Sequence, residues 1–253
     1  MSLLHKTTLI TGSTKGIGLA IATRFAHEGS KIIMASPSSS PSHPSFLSLP
    51  SLPPSTTPSH FPFPLDVSSP QSWSHFLKSL PPSHQKIDIL INCAGISHSK
   101  LLTQTTEDQI LSLINTNLTG AILGCKYIGK QMILSSRNRD ESTTTKCIIN
   151  ISSLLAKKSV LGTSVYSASK AGLLGLTTSL SKEYGAYGIR VNAILPGYIE
   201  TAMTQEIPRE KWTSEIPLKR FGTPEEVADA AAFLAKNQYA NNCILNLDGG
   251  LSA

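Results

Sequence analysis

Tyr166 and Lys170 are the residues of this chain whose types and spacing point most directly to chemistry. Residues four apart in an α-helix lie on one face, so the lysine ammonium is expected close to the tyrosine phenol. A free tyrosine has a pKa of about 10, and a nearby positive charge lowers that pKa. We therefore expect Tyr166 to act as an acid in the reduction of a carbonyl group and as a base in the reverse reaction. Tyrosine and lysine also occur at this spacing by chance, so the pair alone does not decide the function.

Two serines, Ser152 and Ser153, follow the apolar run Lys146–Ile151, which predicts a buried strand. A hydroxyl at the end of such a strand can hydrogen-bond a carbonyl oxygen on which negative charge develops. Successive side chains of a strand point to opposite faces, so only one of the two serines can face a bound cofactor. A serine in this place can equally cap the element that follows.

A glycine-rich stretch lies between the first predicted strand and the first predicted helix. Its residues are Gly12, Ser13, Thr14, Lys15, Gly16, Ile17 and Gly18. Glycines here let the backbone turn tightly and approach a pyrophosphate, and the helix amino terminus presents free N–H groups to the anion. The spacing differs from the more familiar Gly-x-Gly-x-x-Gly, and a turn of this kind also occurs without a ligand.

Apolar runs and helical patterns alternate along the chain and must position these residues. The runs that predict strands are Thr7–Thr11, Lys31–Ala35, Ile87–Asn92, Lys146–Ile151 and Ile189–Ile194. Helical spacing is found in Leu19–His27, Glu107–Leu113, Ala121–Leu134, Ala168–Tyr184 and Pro224–Ala235. Thr223 and Glu226 give the last of these helices a capping box. The alternation predicts an α/β fold with one Rossmann-like, doubly wound parallel sheet, helices on both faces, and a single domain over residues 1–253.

Two segments break the pattern. Residues 36–64 are rich in serine and proline and have no charged side chain, so we expect an irregular, mobile and dispensable surface excursion in place of a helix. Limited proteolysis is expected to cut there first. Residues 135–146 predict a polar loop before a strand.

Composition and charge exclude several classes of protein. The net charge of +6 invites a nucleic-acid interpretation, but the basic residues are dispersed and lack interleaved aromatics, so no nucleic-acid partner is expected. No apolar run approaches the roughly 20 residues that span a bilayer, so no membrane association is expected. The amino terminus enters a predicted strand at once, which argues against a signal peptide and makes the cytoplasm the default, with mitochondrial or other organelle import by another signal left open. The four cysteines are far apart in the sequence, and we expect reduced thiols and no metal site.

The chain resembles the short-chain dehydrogenase/reductase family over nearly its whole length. The resemblance rests on the glycine-rich stretch, Asp66-Val67, Asn92-Cys93-Ala94-Gly95, NTNLTG with Asn117, INISS with Ser153, the Tyr166 to Lys170 stretch YSASK, and Pro196-Gly197, all in the family's order. It implies an oxidoreductase with a catalytic tetrad of Asn117, Ser153, Tyr166 and Lys170. Alignment with the family's strand-end pattern favours Ser153 over Ser152.

The same resemblance implies where the cofactor is bound. Lys170 would also bind the nicotinamide ribose, and Asn117 would hold a water that links Lys170 to solvent. Asp66, with Val67 beside it, would contact the adenine, and the stretch Asn92, Ala94 and Gly95 would support the adenine ribose. The turn with Pro196, Gly197, Ile199 and Thr201 would meet the nicotinamide end, with hydride delivered from the pro-S face.

Within the family, the stretches PGYIETAMT, KRFGTPEEVADAAAFLA and LNLDGG resemble those of 3-oxoacyl-acyl-carrier-protein reductases and related carbonyl reductases. This favours reduction of a 3-oxoacyl thioester, with acyl carrier protein as a candidate partner; a small-molecule carbonyl reductase or alcohol dehydrogenase is the alternative. Tyr187 stands where bacterial members carry an arginine thought to bind the carrier protein, which weakens that assignment. The residues 201–221, expected to form the substrate lid, do not decide between the two. A non-enzymatic NADP(H) sensor is disfavoured because a sensor has no use for the tyrosine and lysine.

The cofactor is expected to be NADP(H). An NAD-preferring site usually has a carboxylate after the second strand, which would repel a 2′-phosphate. This chain has Ser36, Pro37 and Ser38 there, with no acid before Asp66, and Lys15 resembles the basic residue that NADP-preferring members keep in the glycine-rich turn. The family's habit and the apolar helices 121–134 and 168–184 predict a homo-oligomer, a tetramer first and a dimer as the alternative.

Overall fold

A single parallel sheet forms the centre of the computed structural model, which describes residues 3–51, 60–136, 146–158 and 160–253. The strands are β1 Thr7–Thr11, β2 Lys31–Ser36, β3 Phe61–Pro64, β4 Ile89–Asn92, β5 Lys146–Ile151, β6 Ile189–Pro196 and β7 Ile244–Leu247. They lie in the order β3-β2-β1-β4-β5-β6-β7, and every neighbouring pair is parallel. The chain runs outward from β1 to β3 and then crosses back to β4, so the order reverses between β1 and β4. This confirms the predicted doubly wound α/β fold, in which ligands bind at such a reversal.

Helices cover both faces of this sheet. They are α1 Gly16–His27, α2 Pro44–Leu47, α3 Pro70–Ser79, α4 Glu107–Ile114, α5 Gly120–Ser136, α6 Ser164–Glu183, α7 Arg209–Glu215 and α8 Pro224–Lys236. Ile21 of α1 and Val227 of α8 are buried in one apolar cluster. Trp73 of α3, Ile128 of α5 and Leu180 of α6 are buried in a second. Because helices cover both faces of the sheet, strands β1, β5 and β6 are buried at every position, which is why they appear in the sequence as continuous apolar runs.

Both ends of α8 are fixed by polar contacts. Thr223 Oγ1 accepts a hydrogen bond from the Glu226 N–H at 3.3 Å, and Glu226 Oε2 accepts one from the Thr223 N–H at 2.8 Å, which confirms the predicted capping box. At the other end the buried Arg190 guanidinium of β6 donates to the carbonyls of Leu234 at 2.7 Å and Ala235 at 2.8 Å. A cation at a helix carboxyl end stabilises the helix dipole, so Arg190 ties α8 to β6.

The expectation that residues 36–64 are irregular is wrong at two places. Phe61–Pro64 is the edge strand β3, and Pro44–Leu47 is the short helix α2. An edge strand has a pairing partner on one side alone, so it tolerates prolines that a central strand does not. The Phe63 ring of β3 packs edge-on against Phe76 of α3, with ring centroids 5.1 Å apart. Residues 52–59 of the expected excursion lie outside the described residues.

The polar loop expected at residues 135–146 is shorter than predicted. Ser135 and Ser136 belong to the last turn of α5, and Lys146 already belongs to β5. The buried Lys146 ammonium donates to Ser136 Oγ at 2.8 Å and to the Met132 carbonyl, so a helix end and a strand start are tied together across the loop. Residues 137–145 lie outside the described residues.

Three observations on the described residues concern disulfides, metal sites and membrane-spanning helices. All four cysteines are free thiols. Over residues 3–51, 60–136, 146–158 and 160–253, no group of three or more histidine, cysteine or acidic side chains is placed to hold a metal ion. Within the same ranges, no helix is both long and apolar enough to cross a membrane.

Candidate active site

The glycine-rich turn joins β1 to α1 at the carboxyl edge of the sheet, beside the reversal of strand order. Gly12 has φ +67° and Gly16 has φ +54°, conformations that side chains other than glycine rarely adopt. A Cβ on Gly12 would lie 2.8 Å from Ala94 Cα, and one on Gly18 would lie 2.3 Å from the Gly12 carbonyl oxygen. The turn is therefore packed so tightly against α1 and the segment after β4 that these positions have no room for a side chain.

The residues around this turn fit a dinucleotide. Lys15 occupies the N-cap position of α1 and makes no side-chain capping hydrogen bond, so no side chain at that position competes with an anion for the first N–H groups of the helix. The Ser13 hydroxyl is buried and has no hydrogen-bond partner among the described residues. A Cβ on Gly95 would lie 3.3 Å from Asn117 Oδ1 and 3.4 Å from Lys170 Nζ, so the backbone after β4 approaches the candidate catalytic groups directly.

Hydroxyl groups gather where β2 ends, next to the glycine-rich turn. The buried Ser36 hydroxyl donates to Thr14 Oγ1 at 3.2 Å and lies 3.0 Å from Ser39 Oγ. Ser38 Oγ lies 3.3 Å from Ser36 Oγ and 3.3 Å from Thr14 Oγ1. The Lys15 side chain, one residue further along the turn, is exposed. The predicted cofactor residues Thr14, Lys15 and Ser36 thus lie together.

Asp66, Val67 and Asn92 lie along the same edge of the sheet. The exposed Asp66 carboxylate accepts hydrogen bonds from Ser68 through its N–H at 2.9 Å and its hydroxyl at 2.7 Å. The Val67 carbonyl accepts a hydrogen bond from Trp73 Nε1 at 2.9 Å, which fixes α3 beside it. The Asn92 side chain is buried and donates to Asn150 Oδ1 at 2.9 Å, so it joins β4 to β5. Asn92 Nδ2 is therefore engaged within the protein, whereas the buried Oδ1 has no hydrogen-bond partner among the described residues.

A π-helical turn, Asn115–Thr119, separates α4 from α5 and carries Asn117. The buried Asn117 amide makes two hydrogen bonds with the backbone of Ile96: Oδ1 accepts from the N–H at 2.8 Å, and Nδ2 donates to the carbonyl at 2.9 Å. Nδ2 also donates to Ser169 Oγ at 3.1 Å. Widened turns of this kind are often found at functional sites. Here the turn connects the loop after β4 to helix α6.

Tyr166 and Lys170 stand on α6, close to the end of β5. The buried Lys170 ammonium donates to the Ile151 carbonyl at 2.9 Å and lies 5.8 Å from the centroid of the Tyr166 ring. The Ser153 hydroxyl is hydrogen-bonded to the Tyr166 side chain. Ser152 points away, because its hydroxyl donates to the Lys170 carbonyl at 2.8 Å in the body of the helix. The structure thus brings Ser153, Tyr166 and Lys170 together and leaves Ser152 outside the group.

Burial, rather than charge, dominates the pKa values of this group. Burial raises the pKa of the Tyr166 phenol, and the hydrogen bond from Ser153 lowers it by less. Burial also lowers the pKa of the Lys170 ammonium to about 8. The expectation that the Tyr166 pKa lies below its ordinary value is therefore wrong. The cause is desolvation of the phenol, which outweighs the hydrogen bond with Ser153.

The turn after β6 closes the other side of the cleft. The Gly197 N–H donates to the Leu247 carbonyl at 2.9 Å, and the buried Ile199 pairs with Gly222. A Cβ on Gly16 would lie 3.3 Å from Thr201 Cγ2, so this turn touches the glycine-rich turn. The expected lid that follows contains a single 3₁₀ turn, Ala202–Thr204, and helix α7.

Sequence comparison identifies the family to which this fold and site belong. A family described as enoyl-(acyl carrier protein) reductase matches residues 12–252. Carbonyl reductase family member 4 of Xenopus laevis is 35% identical over 98% of each chain. The 3-oxoacyl-[acyl-carrier-protein] reductase of Thermotoga maritima is 36% identical over 99% of each. The chain belongs to the short-chain dehydrogenase/reductase family. Its enzyme class is therefore that of an oxidoreductase, as the resemblance implied.

A solved structure of this short-chain dehydrogenase/reductase family supports the same assignment. The 3-ketoacyl-(acyl-carrier-protein) reductase from Brucella melitensis, complexed with NADH, superimposes with a TM-score of 0.90 at 25% identity and covers 100% of both chains. The family binds nicotinamide cofactors.

Two residues of the site were not anticipated from the sequence. Ser169 connects Asn117 to α6, since its hydroxyl accepts from Asn117 and donates to the Tyr166 carbonyl at 2.7 Å. Thr11 Oγ1 accepts hydrogen bonds from the N–H groups of Cys93 at 3.0 Å and Ala94 at 3.1 Å, and so fixes the segment after β4. Ser169 lies inside YSASK, which gave a local signal. Thr11 gave no sequence signal, because the residues that it contacts are distant in the sequence.

Proposed function

We propose that this enzyme uses NADPH to reduce a ketone to a secondary alcohol, with a 3-oxoacyl thioester as the substrate. The observation that carries the proposal is the meeting of Ser153, Tyr166, Lys170 and Asn117 beside a glycine-rich turn that fits a dinucleotide. The names of the relatives from Xenopus laevis and Thermotoga maritima agree with reduction of a carbonyl group.

Tyr166 is the proton donor in this mechanism. The reduction also needs a hydride at the carbonyl carbon, which NADPH would supply when bound. As negative charge develops on the carbonyl oxygen, the Tyr166 phenol gives that oxygen its proton, and the Ser153 hydroxyl hydrogen-bonds it. The raised pKa of Tyr166 keeps the phenol protonated at neutral pH, which is the form that a reduction requires.

Lys170 and Asn117 support this proton transfer. The Lys170 ammonium would hold the nicotinamide ribose and favours the tyrosinate that remains after the proton has left. Lys170 Nζ and Asn117 Oδ1 both approach Gly95, which places the asparagine where a water could connect the lysine to solvent protons. The two hydrogen bonds to Ile96 hold the Asn117 amide in this orientation.

The first experiment compares Tyr166→Phe with wild type. The variant keeps the ring and lacks the transferable proton, so turnover should fall at least about a hundredfold while NADPH still binds. Tyr187→Phe is the matched control, because Tyr187 is exposed and lies after α6, beyond its carboxyl end. Retention of more than about a tenth of wild-type activity by Tyr166→Phe would remove Tyr166 from the proposed role.

The choice of NADPH over NADH rests on the end of β2. Ser36, Ser38 and Thr14 offer hydroxyls there, and the exposed Lys15 offers an ammonium to a 2′-phosphate. A charge-assisted contact contributes about 1.5 to 3 kcal/mol, enough for a tenfold to hundredfold preference. The test is kcat/KM for both cofactors on one ketone, in wild type and in Lys15→Ala. Equal values in wild type, or an unchanged ratio in the variant, would contradict the role of Lys15.

The substrate assignment rests on exposed apolar side chains in the segments that adjoin the site residues along the chain. Leu161, 85% exposed, is followed by Gly162, whose carbonyl accepts from the Lys100 N–H at 2.9 Å, and Leu101 and Met203 are also exposed. An acyl chain offers a matching apolar surface. A small-molecule carbonyl reductase is the second candidate. The presence of Tyr187 at the position where carrier-protein reductases have an arginine favours it.

A substrate panel separates the two candidates. NADPH oxidation by purified protein is measured against acetoacetyl thioesters, longer 3-oxoacyl thioesters, simple ketones and quinones. Higher kcat/KM for the thioesters, rising with chain length, supports the first proposal. Preference for ketones or quinones that lack a thioester supports the second.

A further inference from the structure

Residues 36–49, the described first part of the serine- and proline-rich segment 36–64, contact the glycine-rich turn directly. Ser45, in the short helix α2 of that segment, donates its hydroxyl to the Thr14 carbonyl at 2.6 Å. Thr14 lies in the middle of the turn, and its own hydroxyl is hydrogen-bonded to Ser36. Thr14 is therefore held at its side chain by the end of β2 and at its backbone by a residue 31 positions away in the sequence.

The segment that carries Ser45 is anchored to the body of the protein. Leu49 is 8% exposed and belongs to the apolar cluster that contains Ile21 and Met34, and Phe46 packs against that cluster. His43 Nδ1 accepts the Ser45 N–H at 3.2 Å and caps α2, so the position of Ser45 is fixed from both sides. These are the contacts of an integrated element rather than of a loose excursion.

We infer that Ser45 is a positioning residue for the glycine-rich turn, whose backbone it holds through the Thr14 carbonyl. The inference rests on the proposed function, since it assumes that the turn binds a dinucleotide. The hydrogen bond from the Ser45 hydroxyl fixes the direction of the Thr14 carbonyl, and so it fixes the backbone of the glycine-rich turn at this residue. The inference stands against the expectation that residues 36–64 are dispensable.

Direct binding tests this without any assumption about the substrate. The dissociation constant of NADPH is measured by its fluorescence on the free enzyme. Ser45→Ala, which lacks the hydroxyl, should bind NADPH about three- to tenfold more weakly, the range expected for one hydrogen bond. Ser48→Ala is the matched control: Ser48 follows α2 directly, its exposed hydroxyl donates to the Ser45 carbonyl at 3.0 Å, and it should leave binding within twofold of wild type.

A pair of isosteric variants separates positioning from folding. Ser45→Thr keeps a hydroxyl and Ser45→Val has the same shape without one, so Thr should restore tight binding and Val should not. With saturating NADPH, kcat of Ser45→Val should stay within twofold of wild type while KM for NADPH rises. Equal dissociation constants for the Thr and Val variants, or a kcat that falls as much as KM rises, would overturn the inference. Failure of wild type to bind either NADPH or NADH would instead refute the proposed function.

Discussion

Replacing Gly18 with alanine should destabilise the protein, although alanine is the better helix former. An added Cβ would lie 2.3 Å from the Gly12 carbonyl oxygen, 2.9 Å from its carbonyl carbon and 3.1 Å from Ser13 Cα. All three are backbone atoms of the glycine-rich turn, so no side chain can rotate away. Overpacking of this kind costs up to about 3 kcal/mol, and the gain in helix propensity returns about 1 kcal/mol. The net loss is expected to be about 2 kcal/mol, or about 4 to 8 °C in Tm.

Gly175→Ala is the matched control, because Gly175 also lies within a helix and an added Cβ there meets no atom within 4 Å. The same propensity term then acts alone, and Tm should rise by about 2 to 4 °C. Thermal unfolding by circular dichroism measures both variants, and NADPH titration shows whether the turn has moved. If Gly18→Ala is as stable as wild type and binds NADPH equally well, the turn does not pack against α1 as closely as these distances require.

Three further expectations concern protonation, packing and assembly. Burial lowers the pKa of Lys170 to about 8. A plot of kcat/KM for reduction against pH should therefore be flat near pH 6 to 7 and fall above about pH 8, as the ammonium loses its proton. Lys170→Met should lack this fall in kcat/KM. Arg190→Leu should lower the free energy of unfolding in urea by at least about 3 kcal/mol, because it leaves buried carbonyls at the end of α8 without a donor. The exposed Ile122 and Leu134 of α5 support a homotetramer, with a dimer as the alternative, and a monomeric mass by light scattering at micromolar concentration would contradict both.

The parts of the fold that could be predicted are those whose burial is complete. β1, β5 and the core of β6 are buried at every position, so their apolar runs gave the strands directly. β3 was missed because it reads FPFP, and prolines suit it to an edge that local sequence does not reveal. Helix α3 was also missed, although Ser69 caps it and Pro70 occupies its first turn. That cap, with Trp73 and Phe76 on one face, was a signal that could have been used.

The candidate site, like the fold, could be predicted from the sequence only in part. The pairing of Tyr166 with Lys170 follows from helix geometry, and the glycines follow from the demands of a tight turn. The Tyr166 pKa could not be predicted in direction, because it depends on how deeply the whole group is buried. Ser45 could not be found at all. Its partner, the Thr14 carbonyl, is distant in the chain, and nothing in a run of serines distinguishes the one that reaches it.

The π-helical turn at Asn115–Thr119 also constrains how the gene for this protein can change. Such a turn contains one residue more than a regular helix would use, and each residue of a helix rotates the chain by about 100°. Deletion of a single codon here would restore a regular helix and swing Gly124, Cys125 and Ile128 of α5 away from the sheet that buries them. A single-residue insertion or deletion in this stretch should therefore prevent folding, and selection would remove it for that reason rather than for a change in catalytic activity. The position of Asn117 and the face that α5 turns toward the sheet therefore both depend on this one π-helical turn.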